Sequence, residues 1–72
     1  MHVLRREVAG DRQVSLIEYD GWFRVCIEVR GPEGWEDISL RVDQDLAFQT
    51  ASRRYHQRLT EQEARAIEWR KD

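Results

Sequence analysis

Apolar and polar residues alternate along much of the first half of the chain, which is the period-two pattern of half-buried β-strands. The clearest case spans residues 22–30, with Phe23, Val25, Ile27 and Val29 on one side. A weaker alternation over residues 1–8 predicts an earlier strand that ends at the turn-forming run Ala9-Gly10-Asp11-Arg12. The same alternation over residues 37–42 predicts a further half-buried strand.

The dipeptide Asp20-Gly21 is the strongest local signal, because Asp-Gly between β-rich segments favours a two-residue hairpin turn with positive φ at both positions. Such a turn sets three pairs of residues opposite each other on one sheet face. These pairs are Tyr19 with Trp22, Ile17 with Arg24, and Ser15 with Cys26. Phe23, by alternation, faces the other way.

The register of the last strand can be argued from charge. Pairing Val29 with Ile38 sets Arg30 against Asp37, whereas the register two residues away sets Glu28 against Asp37. Directly opposed like charges destabilise a sheet. We therefore expect Val29 to lie opposite Ile38.

After Asp43-Gln44-Asp45 the apolar spacing changes to steps of three and four, which predicts one face of a helix. The predicted stripe is Phe48, Ala51, Tyr55, Leu59, Gln62, Ala66 and Trp69. Asp43 or Asp45 is expected to cap its first turn. The run Thr60-Glu61-Gln62-Glu63 resembles a capping box, which predicts a kink or a new helix start near Thr60.

Together these elements predict a single α+β domain over residues 1–72, an antiparallel three- to four-stranded β-meander followed by a C-terminal helix packed on one sheet face. The expected core is Val14, Leu16, Phe23, Val25, Ile27, Val29, Ile38, Leu40, Val42, Phe48, Ala51, Tyr55 and Leu59. A chain of 72 residues hides only about 60% of the surface that its unfolded form exposes. A deep enclosed active site is therefore not expected.

Composition indicates a folded chain, since 40% of its residues are hydrophobic although 36% are charged. The net charge is -2, from 14 acidic and 12 basic residues spread along the chain, which mildly disfavours a nucleic-acid partner. Cys26 is the only cysteine, and residues 1–10 carry no apolar run typical of a signal peptide. A cytoplasmic location without a membrane span is expected.

No catalytic, metal or cofactor motif stands out, so we expect a protein that is not an enzyme. His2 and His56 are far apart in sequence, and an enzyme would need the fold to bring His56 to Cys26. The four glycines form no phosphate-binding motif. The basic run from Arg53 to Arg58 predicts either a phosphate site or a solvated flank with Tyr55 turned inward.

The sheet face opposite the helix is the candidate binding surface. The expected partner-binding residues are Ile17, Tyr19, Trp22, Arg24, Arg30, Trp35 and Arg41. Trp, Tyr and Arg are the residue types enriched in protein interface hot spots. The alternative is that Tyr19 and Trp22 only clamp the hairpin, as a cross-strand pair that contributes up to about 1 kcal/mol.

The plan of three strands and a helix, with Gly21-Trp22 opening a strand, resembles DNA-reading domains of the plant AP2 type and some phage integrase N-termini. In size and composition the chain is similar to phage-encoded inhibitors such as anti-CRISPR proteins. Glu28 and Asp37 interrupt the basic residues of the sheet. We therefore expect a protein-binding module, either an inhibitor or an accessory subunit, whose surface can also bring two copies together; nucleic-acid binding through the same face is the alternative.

Overall fold

The computed structural model describes residues 1–39 and 43–70, and within them four antiparallel strands form one open sheet followed by a helix. The elements are β1 (His2–Ala9), β2 (Arg12–Tyr19), β3 (Trp22–Gly31), β4 (Gly34–Asp37) and α1 (Phe48–Arg70). The sheet order is β1-β2-β3-β4. The predicted α+β meander with a C-terminal helix is confirmed. Leu40, Arg41, Val42 and the side chain of Trp69 lie outside the described part of the chain.

The predicted central hairpin is confirmed. Asp20 and Gly21 have φ values of 49° and 80°, the left-handed backbone that a two-residue hairpin turn requires. The pairing of β2 with β3 begins at Tyr19 opposite Trp22 and continues in regular register to Arg12. Side chains of β2 and β3 are therefore assigned to the two sheet faces as the alternation predicts.

The predicted register between β3 and β4 is wrong. Gly31 pairs with Gly34 across a two-residue turn, and this short turn fixes Glu28 opposite Asp37. Gly34 has a φ of 120°, which favours glycine at this position. The turn therefore determines the register, in spite of the two like charges that it sets side by side.

Each of these two carboxylates has its own hydrogen-bond donor, which explains how the sheet tolerates them. Gln13 Nε2 donates to Glu28 Oε1 at 2.9 Å. The backbone N–H of Ser39 donates to Asp37 Oδ1 at 2.7 Å. Hydrogen bonds to a charged acceptor are stronger than neutral ones, so they offset part of the repulsion.

The last strand also lies earlier in the chain than predicted, because β4 spans Gly34–Asp37 and shares only Asp37 with the predicted strand over residues 37–42. Beyond it, the Ser39 hydroxyl accepts the backbone N–H of Ile27 at 2.6 Å in place of a strand partner. Ile38 still donates its N–H to the Ile27 carbonyl, yet its side chain is 42% exposed. The predicted strand over residues 37–42 is therefore not formed at Ile38 and Ser39.

The core lies between α1 and the β2–β3 pair. Its buried residues are Val14, Leu16, Val25, Ala51, Tyr55 and Leu59, with Phe23, Ile27 and Leu46 packed against them. Most of the predicted core is confirmed. Ile38 and Phe48 were wrongly included, because Phe48 opens the helix at the end of the sheet and is 52% exposed, with one edge contact to Phe23. Val29 is only half-buried.

The helix is continuous through Thr60, so the predicted new helix start at this residue is wrong. The Thr60 hydroxyl donates to the carbonyl of His56 at 2.9 Å, within the helix. A threonine bound in this way to the preceding turn does not act as a cap. Sequence spacing alone could not distinguish these two uses of the hydroxyl.

Neither predicted aspartate caps the helix, which begins only at Phe48. Asp43 is buried and binds Arg58 of α1, while Asp45 binds the Tyr19 hydroxyl. Leu46 forms an isolated bridge with Phe23 of β3 just before the helix starts. The aspartates therefore fasten the preceding segment to the sheet and the helix.

The C-terminal half of α1 rests on the turn between β1 and β2. A Cβ at Gly10, whose φ is 65°, would lie 3.1 Å from the Ala66 Cβ, so both positions need small residues. Arg65 Nη1 donates to Asp11 Oδ1 at 2.9 Å in the same turn. This hydrogen bond lowers the pKa of the Asp11 carboxyl. These contacts join the C-terminal half of α1 to the turn between β1 and β2.

Candidate functional site

The sheet face opposite α1 is called the open face here. It carries Arg6, Ser15, Ile17, Tyr19, Trp22, Arg24, Cys26, Glu28, Arg30 and Trp35, according to the strand registers. Six of the seven residues predicted for partner binding thus share one face. The seventh, Arg41, lies outside the described residues.

Trp22 supplies the large exposed ring of the open face, with 52% of its surface accessible. The aromatic contacts of the described residues join Phe23 to Phe48 and Tyr55 to His56. Trp22 takes part in neither of these two ring contacts, and it lies directly opposite Tyr19 across the hairpin. A half-exposed indole beside an arginine-rich sheet is available to a partner.

Tyr19 is held in place by the segment that precedes α1. Its hydroxyl donates to Asp45 Oδ1 and accepts the Asp45 backbone N–H at 3.1 Å. The hydrogen bond to the carboxylate raises the pKa of Tyr19. Tyr19 thus contributes a fixed ring to the open face, and it also joins β2 to the loop before the helix.

Arg24 lies flat across the sheet. Its guanidinium carbon is 5.6 Å from the centre of the Tyr19 ring, and its Nη2 is 3.7 Å from the sulfur of Met1. Because Met1 precedes β1 and Arg24 belongs to β3, the side chain must cross β2 beside Ile17. Ile17 is therefore only 5% exposed, and it packs beside the Arg24 side chain.

Arg30 and Trp35 form a second stacked pair at the far end of the open face. They are directly opposed on β3 and β4, with the Arg30 guanidinium 5.1 Å from the Trp35 ring centre. Glu28 and Asp37 come next along the same face. The open face therefore has an arginine stacked on an aromatic ring at each end. The carboxylates of Glu28 and Asp37 lie beside the Arg30–Trp35 pair.

Arg6 is a member of the open face that the sequence did not reveal. The register of β1 against β2 shifts between Val3 and Arg5, and this irregularity hides the alternation of the first strand. Arg6 Nε donates to the hydroxyl of Ser15, which is fully buried. Arg6 can be assigned to the open face only from the pairing of β1 with β2, which sets it opposite Ser15.

Cys26 lies near the middle of the open face and is 4% exposed. Burial raises the pKa of its thiol, which makes the reactive thiolate scarcer. His56 belongs to α1, on the other side of the sheet, so the two side chains do not meet. Among the described residues, His56 is therefore not placed to act as a base for Cys26.

Cys26 is expected to react with a disulfide reagent at least about 100-fold more slowly in the folded chain than in denaturant, because modification requires local opening. The reaction can be followed by absorbance at neutral pH. A native rate close to that of the denatured chain would show that the thiol is accessible. An exposed, activated thiol would contradict the packing described for this face.

The described residues contain no group of three or more His, Cys, Asp and Glu side chains arranged to hold a metal ion. None of the described helical residues forms an apolar stretch long enough for a membrane span. Comparisons with protein-family models, curated proteins and solved structures found no match.

Proposed function

We propose that the chain is a small non-enzymatic protein-binding module of the cytoplasm, which acts through the open face as an inhibitor or an accessory subunit. The observation that carries this proposal is the half-exposed Trp22 beside Arg24, on the sheet face that α1 leaves uncovered. The buried free thiol of Cys26 suits a reducing compartment.

The arginines of the open face are suited to binding because they are positioned but not neutralised. Every ion pair between described residues involves an arginine of α1. Arg24 and Arg30 instead lie over aromatic rings, and a stacked guanidinium can still present edge N–H groups to a carboxylate. In Arg24 the Nε is buried and Nη2 faces the Met1 sulfur, so this argument applies most directly to Arg30. Such pre-organisation reduces the entropy lost on binding.

The charges of the open face favour a protein over a nucleic acid. Glu28 and Asp37 lie side by side close to Arg30, so a phosphate chain following the arginines would meet two carboxylates. A protein surface can offer groups of both signs at these places. The net charge of -2 acts in the same direction.

Trp22→Ala is expected to weaken partner binding by about 2 kcal/mol, the scale of an interface hot spot, with little change in folding. Phe48→Ala is a matched control, because Phe48 is also 52% exposed but begins the helix on the covered side. Wild type and both variants would serve as bait in a lysate of the encoding organism, followed by affinity measurement on the purified protein. Circular dichroism would confirm folding.

The proposal requires a protein that wild type and Phe48→Ala retain and Trp22→Ala loses. Equal retention by Trp22→Ala would place binding elsewhere on the molecule. Retention of nucleic acid, with affinity that falls steeply as salt is added, would favour the alternative function. Affinity for a protein through the Trp22 ring should fall less with added salt than affinity for a nucleic acid, because only part of such an interface consists of contacts between charges.

A further inference from the structure

The outer edge of β1 is exposed and pairs with no other described strand. Seven of its eight residues are exposed, and only Ala9 is buried. Four exposed apolar side chains lie on or just before it: Met1, Val3, Leu4 and Val8. The opposite edge of the sheet differs, because β4 has four residues and leads directly into Ser39, which bonds to Ile27. β1 is therefore the long edge at which another strand can be added.

The charges at the middle of β1 restrict which strand can be added. Arg5, Arg6 and Glu7 are consecutive, and Arg5 and Glu7 face the same side of the sheet because they oppose Leu16 and Val14 of β2. In an antiparallel pair of two copies centred on Arg6, Arg5 of each copy lies opposite Glu7 of the other. Two pairs of opposite charges therefore form across the edge, one on each side of Arg6.

Neighbouring registers lack this match. A shift of two residues in either direction leaves the same sheet faces on the same side. It sets Arg5 opposite Arg5, or Glu7 opposite Glu7, and both pairings are repulsive. The matched register does bring the two Arg6 residues together at the centre. Arg6, however, is directed over its own sheet by its 3.0 Å hydrogen bond to Ser15. The ends of the pairing bring Leu4 of one copy beside Val8 of the other.

We infer that β1 pairs with β1 of a second copy of this chain, antiparallel and around a two-fold axis at Arg6, to form one continuous eight-stranded sheet. Arg5 and Glu7 face the side of the sheet that carries α1, but α1 packs more against β2 and β3 than against β1, so the outer edge of β1 lies away from the centre of the helix. The dimer uses the edge of the sheet and leaves both open faces uncovered. It is therefore independent of the proposed partner binding.

Charge-swap variants test this inference. Arg5→Glu sets glutamates opposite each other, and Glu7→Arg sets arginines opposite each other, so each variant alone should dimerise at least about tenfold more weakly. Mixing the two variants restores both opposite-charge pairs and should restore the dimer. Sedimentation equilibrium gives the association constant, and circular dichroism confirms that each chain folds. Arg53→Glu and Glu68→Arg, at exposed positions of α1, are controls with the same changes of charge.

Recovery in the mixture together with wild-type association by both controls supports the edge dimer. A wild-type chain that stays monomeric at about 1 mM overturns it. It is also overturned if Arg5→Glu and Glu7→Arg each dimerise as well as wild type, or if their mixture stays as weak as the separate variants. None of these measurements involves the partner of the open face, so the two proposals can fail separately.

Discussion

Tyr55→Ala is expected to lower the free energy of unfolding by about 3–5 kcal/mol, the range found when a large buried aromatic ring is removed. Tyr55 is 1% exposed and lies in the core cluster with Val14, Leu16 and Val25 of the sheet. In a chain of 72 residues with a small core, such a loss approaches the whole stability. Urea unfolding followed by circular dichroism measures it.

Tyr55→Phe is the matched control for this ring, and it should cost almost nothing. The Tyr55 hydroxyl is buried and forms no hydrogen bond of good geometry with the described residues, although burial raises its pKa and the Glu7 carboxylate is near enough to raise it further. Removing a buried, unsatisfied hydroxyl does not break a hydrogen bond and relieves its desolvation. A loss as large as that of Tyr55→Ala would mean that the hydroxyl has a partner, and the core geometry would then be wrong.

The same residue gives a pH dependence. Burial, followed by the negative charge of Glu7, raises the pKa of Tyr55 above its ordinary value of 10.0. A group whose pKa is raised in the folded state stabilises it fully below the unfolded pKa, and this contribution is lost as the pH rises through the folded pKa. Stability should therefore fall above about pH 10, and less steeply in Tyr55→Phe.

Asp43→Ala is expected to lower the free energy of unfolding by about 1.5–3 kcal/mol, as for a hydrogen bond between charged groups. Asp43 is 5% exposed, its Oδ2 lies 2.8 Å from Arg58 Nε, and its Oδ1 lies 3.8 Å from Arg54 Nε. The hydrogen bond to Asp43 raises the pKa of Arg58. Without the aspartate, a guanidinium whose side chain is only 22% exposed loses its closest partner.

Glu61→Ala is the control for Asp43→Ala, because it removes an exposed ion pair of Arg58 and leaves the buried one with Asp43 intact. Glu61 is 48% exposed and lies 3.2 Å from Arg58 Nη1. Exposed ion pairs of this kind contribute about 0.5 kcal/mol or less. Thermal unfolding of the two variants should therefore differ clearly, and equal losses would mean that Asp43 does not fasten the segment before α1 to the helix.

The sequence predicted those features that local chemistry determines. Asp20-Gly21 specified the central hairpin because few residue pairs accept positive φ at both turn positions. The hairpin then placed Tyr19, Trp22 and Arg24 on one face. Period-two alternation predicted β1 and β3, and helical spacing predicted α1 together with most of the core, whereas β4 lies earlier in the chain than predicted.

Other features depend on contacts between distant parts of the chain, which the sequence pattern does not contain. The tight Gly31–Gly34 turn overrode the charge argument for the register. Asp43, predicted as a helix cap, instead binds Arg58 across 15 positions. Ile17 was expected to be part of the binding surface, but Arg24 crosses the sheet beside it and it is buried.

The most direct test of binding through the open face is a nuclear magnetic resonance titration of the isotope-labelled chain with the purified protein partner. The proposal predicts that the indole N–H signals of Trp22 and Trp35 and the Nε–H signal of Arg24 shift on binding. The backbone signals of Arg53 and Gln57, on the exposed side of α1, should stay unchanged. Shifts confined to the helix, with both indole signals unmoved, would contradict it.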